Sequence, residues 1–109
     1  MSYKVQTIEV FERQAKKLKK KHPSLKQDLL ALVQNLKENP EQGTSVGKSC
    51  FKIRLSITSK RKGKSGGARI ITNVVVTQTT VYLLSIYDKS EKETITDKEL
   101  SELLKYIPT

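Results

Sequence analysis

The chain of 109 residues has no tryptophan, one cysteine, one histidine and one methionine, and aromatic side chains make up only 6% of it. Each scarcity excludes something. A lone cysteine, Cys50, forms no internal disulfide, and a free thiol is a liability in an oxidising compartment. A reducing cytoplasm is therefore expected, with Cys50 as a small half-buried strand residue rather than a nucleophile. The single histidine, His22, leaves no histidine pair for acid–base work and, next to Pro23, reads as a solvated turn residue. The acids are scattered over helix surfaces and turns without ligand spacing, so neither a metal nor a cofactor is expected. No apolar run approaches the length of a membrane span, and the first residues, MSYKVQTIEVFERQ, are charged where a secretory signal is apolar; no membrane role is expected.

What the chain has in excess is positive charge. Lysine and arginine total 21 against 11 acids, a formal net charge of +10 with a pI near 9.8. Such a balance points to a polyanionic partner: nucleic acid, a ribosome, an anionic membrane face or an acidic protein. The length suits a single domain, residues 1–109, with one core.

Hydrophobic periodicity divides the chain. Tyr3 to Ile8 reads as a short strand. From Glu9 the period becomes helical, with Phe11, Ala15 and Leu18 as a narrow apolar stripe and lysines elsewhere, until His22-Pro23 ends the helix. Ser24 and Gln27 fit a capping box opening a second helix, in which Leu25, Leu29, Leu32, Val33 and Leu36 share a face up to Glu38-Asn39-Pro40. Residues 40–48 read as a loop. In SCFKIRLSI, Phe51, Ile53, Leu55 and Ile57 alternate with Cys50, Lys52, Arg54 and Ser56, so one face can be buried while the other carries two cations. Two β-branched runs, Ile70 to Val76 and Val81 to Ile86, flank a short turn and read as a hairpin. Thr96 and Glu99 form a second capping-box match before Leu100, Leu103, Leu104 and Ile107. The expectation is an α+β fold of order β-α-α-β-β-β-α: a small antiparallel sheet, an N-terminal helical hairpin packed on it and a short C-terminal helix.

That order, with CFKIRL, GGARII and YLLSIYDKSEKETIT, resembles the RelE/ParE superfamily of toxins from type II toxin–antitoxin systems, and most of all its RelE/HigB-like branch. The resemblance spans nearly the whole chain and is sharpest between Cys50 and Thr96. It implies a ribosome-dependent endoribonuclease (an mRNA interferase) that enters the ribosomal A site, cleaves messenger RNA, stops translation and is neutralised by a cognate antitoxin. The same resemblance leaves open a ParE-like inhibitor of DNA gyrase. Without it, a non-catalytic RNA- or ribosome-binding module fits the charge equally well.

Metal-independent RNA cleavage uses the ribose 2′-OH as nucleophile, and the catalyst must align the attack, stabilise charge on phosphorus and move two protons. The resemblance carries a cationic site onto Lys52, Arg54, Arg69 and Lys89. A guanidinium fork matches phosphate oxygens and stays charged, which suits Arg54 and Arg69 to transition-state stabilisation. Lys52 and Lys89 serve the same end, or one of them protonates the leaving oxygen. Tyr87 is a candidate for stacking on a displaced base or relaying a proton, and Glu91 for accepting the 2′-OH proton or orienting a cation. Some RelE toxins carry a tyrosine after the K-x-E segment; here that neighbourhood reads Glu93-Thr94-Ile95-Thr96, as is common in the HigB-like branch. Two basic patches suit RNA backbone or ribosome contact: the loop with Lys60, Arg61, Lys62 and Lys64, and the helix surface with Lys16, Lys17 and Lys20.

Overall fold

The computed structural model describes residues 2–60 and 66–108. Strand β1 (Lys4–Thr7) leads into helix α1 (Glu9–Lys21), a short turn and helix α2 (Leu25–Glu38). Strands β2 (Thr44–Gly47), β3 (Cys50–Leu55), β4 (Ala68–Val75) and β5 (Thr80–Asp88) follow, and helix α3 (Asp97–Leu104) comes last. The helices form where the apolar period is helical. Phe11, Ala15 and Leu18 of α1 and Leu25, Leu29, Leu32 and Leu36 of α2 are buried. Acids in the first turn of α1 and lysines in its last complement the helix dipole. Helix α3 carries the capping box expected of it: Glu99 N donates to Thr96 Oγ1 at 3.1 Å and Thr96 N to Glu99 Oε1 at 3.0 Å.

The five strands form one sheet in the order β1-β5-β4-β3-β2. Neighbours are antiparallel except β1, which lies parallel to β5, and the helical hairpin carries the chain from β1 to β2 at the opposite edge. Ile53, Ile70 and Ile86 pair across β3, β4 and β5 and so share a face. That face is the one covered by the hairpin: Ile53 lines a cleft with Leu32 of α2, and Ile86 one with Leu18 of α1. The next row, Arg54–Arg69–Tyr87, therefore belongs to the opposite face. The central strands β4 and β5 are buried almost throughout. Among the described residues, no helix is long and apolar enough to cross a membrane.

Three details depart from the sequence expectation. Residues 40–48 contain strand β2, which pairs with β3 through a two-residue turn at Lys48-Ser49. Both turn residues take positive φ, 56° and 60°, as a tight hairpin matched to sheet twist requires. Asn73 steadies this turn by donating to Lys48 O at 3.1 Å and Ser49 O at 3.2 Å. Second, Ser24 does not cap α2 through its side chain; its backbone is already helical, and its hydroxyl bonds Asp28 and Ser59 instead. Third, His22 is not a solvated turn residue: its imidazole is largely buried, with Nε2 3.5 Å from Asp88 Oδ2.

Candidate functional site

Register builds the site. Arg54 of β3 lies directly opposite Arg69 of β4, and Arg69 directly opposite Tyr87 of β5. Lys52 is two residues from Arg54 on the same face, and Lys89 two residues beyond Tyr87, where its backbone N–H holds Gly67 O at 3.1 Å. Lys52, Arg54, Arg69 and Tyr87 are thus brought to one end of the face away from the helical hairpin, and Lys89 follows in the turn that closes β5. Like charges paired across strands repel, so the Arg54–Arg69 pair is an arrangement that an anion would relieve. Arg54 is exposed. Arg69 is only 3% exposed and donates Nη1–H to Ala68 O at 3.1 Å, among other interactions. No hydrogen bond or ion pair to the side chains of Lys52, Arg54 or Lys89 occurs among the described residues.

Tyr87 has a defined electrostatic state. Burial pushes its hydroxyl pKa up; the Arg69 charge opposes this and the Glu99 carboxylate adds to it. The phenol stays protonated at neutral pH, and its oxygen is buried without a hydrogen-bond partner among the described residues. Lys92 lies over the ring, 5.5 Å from the centroid, and is paired in turn with Glu99 of α3. With one ring face under Lys92 and the side chain buried, Tyr87 has little free ring surface on which a base could stack.

The remaining candidates lie elsewhere. Glu91 is exposed on the α1 side, 3.3 Å from Lys21, and does not join the cation row. Lys60 points inward: its ammonium meets both oxygens of Asp88 at 3.1 Å. Arg61, Lys62 and Lys64 lie outside the described residues. Lys16 and Lys20 belong to an outer patch of α1 with Arg13 and Lys19, whereas Lys17 lines a cleft of about 270 Å³ with Lys21, Tyr87, Glu91 and Lys92.

Sequence reasoning missed three residues around the site. Asp88 is buried between Lys60, His22 and the Ser90 turn. Burial raises its pKa, but hydrogen bonds from the Ser90 N–H and hydroxyl, and then from Lys60, outweigh burial and hold it at about 2. Lys92 and Glu99 complete the setting of Tyr87; their only sequence signal is the alternation of charge after Tyr87, which by itself reads as surface. Cys50 is fully buried, and burial raises its thiol pKa against the Asn73 hydrogen bond and the Lys48 charge. It stays a thiol, which is no nucleophile. Among the described residues, no group of three or more His, Cys, Asp or Glu could hold a metal.

Comparison with known proteins gives a consistent result. The sequence profile of the family described as "RelE toxin of RelE / RelB toxin-antitoxin system" matches residues 3–107. No curated protein sequence matches significantly. Among solved structures, a doubly substituted mutant of the E. coli toxin RelE in the free state superposes with a TM-score of 0.65 at 20% identity, covering 99% of this chain and 100% of that one. The same mutant in complex with an antitoxin RelBc peptide gives 0.58 at 21% identity, covering 99% of this chain and 100% of that one. The toxin–antitoxin complex RelBE2 from Mycobacterium tuberculosis gives 0.58 at 16% identity over 81% of this chain and 92% of that one. At these identities the likeness to solved structures establishes the fold.

Proposed function

The chain belongs to the RelE toxin family, and from that premise we propose that it is a ribosome-dependent endoribonuclease that cleaves messenger RNA in the ribosomal A site without a metal. In the reaction, the 2′-oxygen of one ribose bonds to the adjacent phosphorus as the bond to the 5′-oxygen of the next nucleotide breaks. The products are a 2′,3′-cyclic phosphate and a free 5′-OH. Arg54 and Arg69 hold the non-bridging oxygens, whose charge rises in the transition state. Lys52 and Lys89 flank them and neutralise the same charge. The protonated Tyr87 hydroxyl, beside Arg69 and lacking an acceptor of its own, fits the group that supplies the leaving oxygen with a proton. Glu91 is turned toward Lys21, so its part as the acceptor of the 2′-OH proton has the least geometric support.

The observation that carries the reading is the cross-strand pairing of Arg54 with Arg69 on the face away from the helical hairpin, in a chain from this family. A cognate antitoxin completes the proposal, since structural neighbours occur as toxin–antitoxin complexes. An acidic partner matches the net charge of +10. The test is expression from a tight promoter with mapping of messenger 5′ ends, repeated with Arg69→Ala. Cuts at a fixed position within translated codons, lost in the variant, are expected. Growth arrest with intact messenger would instead favour inhibition of DNA gyrase.

A further inference from the structure

A cleft of about 320 Å³ runs between α2 and the outer edge of β3. Strand β2 pairs with β3 only as far as Lys52, so the edge from Ile53 to Leu55 has no strand beside it, and the cleft opens there. Its apolar wall is Leu32, Ile53 and Leu55, and Arg54 lies at its rim. Arg54 therefore belongs both to this cleft and to the cation row.

The polar lining includes Asn35, which is exposed, and Gln42, which is partly buried. Gln42 donates its amide to Asn35 Oδ1 at 2.7 Å and to Asn39 O at 3.2 Å, and Asn39 donates to the same Asn35 oxygen at 3.3 Å. These bonds fix the orientation of both amides. Asn35 Nδ2 and Gln42 Oε1 are left without partners among the described residues, one donor and one acceptor on neighbouring side chains. A donor beside an acceptor is the complement of a base edge, and an apolar wall suits the face of a planar ring. Asp28 also lines the cleft, and its charge disfavours a phosphate beside it. Its carboxylate takes bonds from Thr58 N at 3.0 Å and Thr58 Oγ1 at 2.7 Å, and these with Ser24 hold its pKa down against the effect of burial. The cleft thus has both a cation, Arg54, and a carboxylate, Asp28, in its lining.

We propose that this cleft is a base-binding subsite: it takes one nucleobase of the RNA, read by Asn35 and Gln42, while the attached phosphate lies on Arg54. The assignment rests on the RNA-cleaving reading for the identity of its ligand, and it makes Asn35 and Gln42 the residues that set base preference beside the cut. A volume near the lower end of ligand clefts suits a single ring system rather than a stacked pair.

The test is independent of cleavage. Side-chain amide resonances of Asn35 and Gln42 are followed by NMR in the full chain during titration with each of the four nucleoside 5′-monophosphates and with ribose 5-phosphate, which lacks a base. The nucleotides are expected to shift both amides, ribose 5-phosphate to leave them in place, and the four bases to differ in affinity. Asn35→Ala with Gln42→Ala should weaken nucleotide binding about tenfold, the loss of one paired base contact. Ala31→Phe, which fills the cleft from an exposed helix position and leaves both amides intact, should do the same. Equal response to nucleotides and ribose 5-phosphate, or unaltered affinity in both variants, overturns the subsite. Base-dependent shifts in a chain that cuts no messenger would retain the subsite and reject the nuclease.

Discussion

The carboxylate of Asp88 accepts from Lys60, from the Ser90 N–H and hydroxyl, and faces His22. It joins the end of β5 to the residue that opens the basic loop and to the turn between α1 and α2. With its pKa held near 2 against about 4 in an unfolded chain, Asp88 contributes stability that is present above about pH 4 and lost as pH falls towards 2, worth about 2 kcal/mol when fully ionised. Asp88→Asn should therefore lower unfolding free energy by about that amount at pH 7, with the gap from wild type closing as both are acidified; urea titrations across that range measure it. Arg54 makes the contrasting case. It is exposed opposite a second arginine, so Arg54→Ala should leave stability unchanged or raise it by about 0.5 kcal/mol while messenger cleavage is lost. A melting curve with unchanged or higher midpoint from an inactive variant is the expected pairing. The alternation around Arg54 made its orientation legible in the sequence. The burial of Arg69 and the hub at Asp88 were not, because both depend on which strands lie alongside. Lys60 read as part of a solvated basic loop for the same reason: nothing local marks Asp88, 28 residues on, as its partner.

At the scale of elements, the helices and β3 were legible because each carries one clear period, and β4 and β5 because each is a β-branched apolar run bounded by turn residues. Thr96 and Glu99 also announced a cap that forms as expected. The Ser24 signal failed since Asp28 and Ser59 compete for the same hydroxyl. Strand β2 is four residues with no buried side chain, so it has no alternation to read; its existence comes from backbone pairing with β3. The entry to β4 is likewise set by backbone. A Cβ at Gly67 would lie 2.0 Å from Leu55 O, so β3 and β4 meet at their ends only because this residue has no side chain. Gly67→Ala must separate the strands two residues from Arg69 and break the Lys89 N–H bond to Gly67 O. A loss of at least about 2 kcal/mol is expected, read as a lower urea midpoint, with cleavage falling further than stability alone explains.

On the scale of the molecule, 37 × 32 × 23 Å, two groups of cations among the described residues lie on opposite sides of the sheet. Lys52, Arg54 and Arg69 belong to the face away from the helical hairpin. Arg13, Lys16, Lys19 and Lys20 form a patch on the outside of α1, whose apolar stripe is pressed to the other face. A short single strand seated on the cation row can reach Lys17 and Lys21 of α1 through the cleft beside Tyr87. The Arg13, Lys16, Lys19 and Lys20 patch lines a different surface and is free to meet a second polyanion such as structured ribosomal RNA. The two can be separated by salt. Replacing Lys16, Lys19 and Lys20 by alanine should leave the salt dependence of binding to a short oligonucleotide unchanged. The same change should make the slope for ribosomes shallower by about two to three units of log K against log salt, as expected when three phosphate contacts are removed. Equal loss of slope for both ligands would mean that one strand spans both faces, and the division of labour between sheet and helix would have to be abandoned.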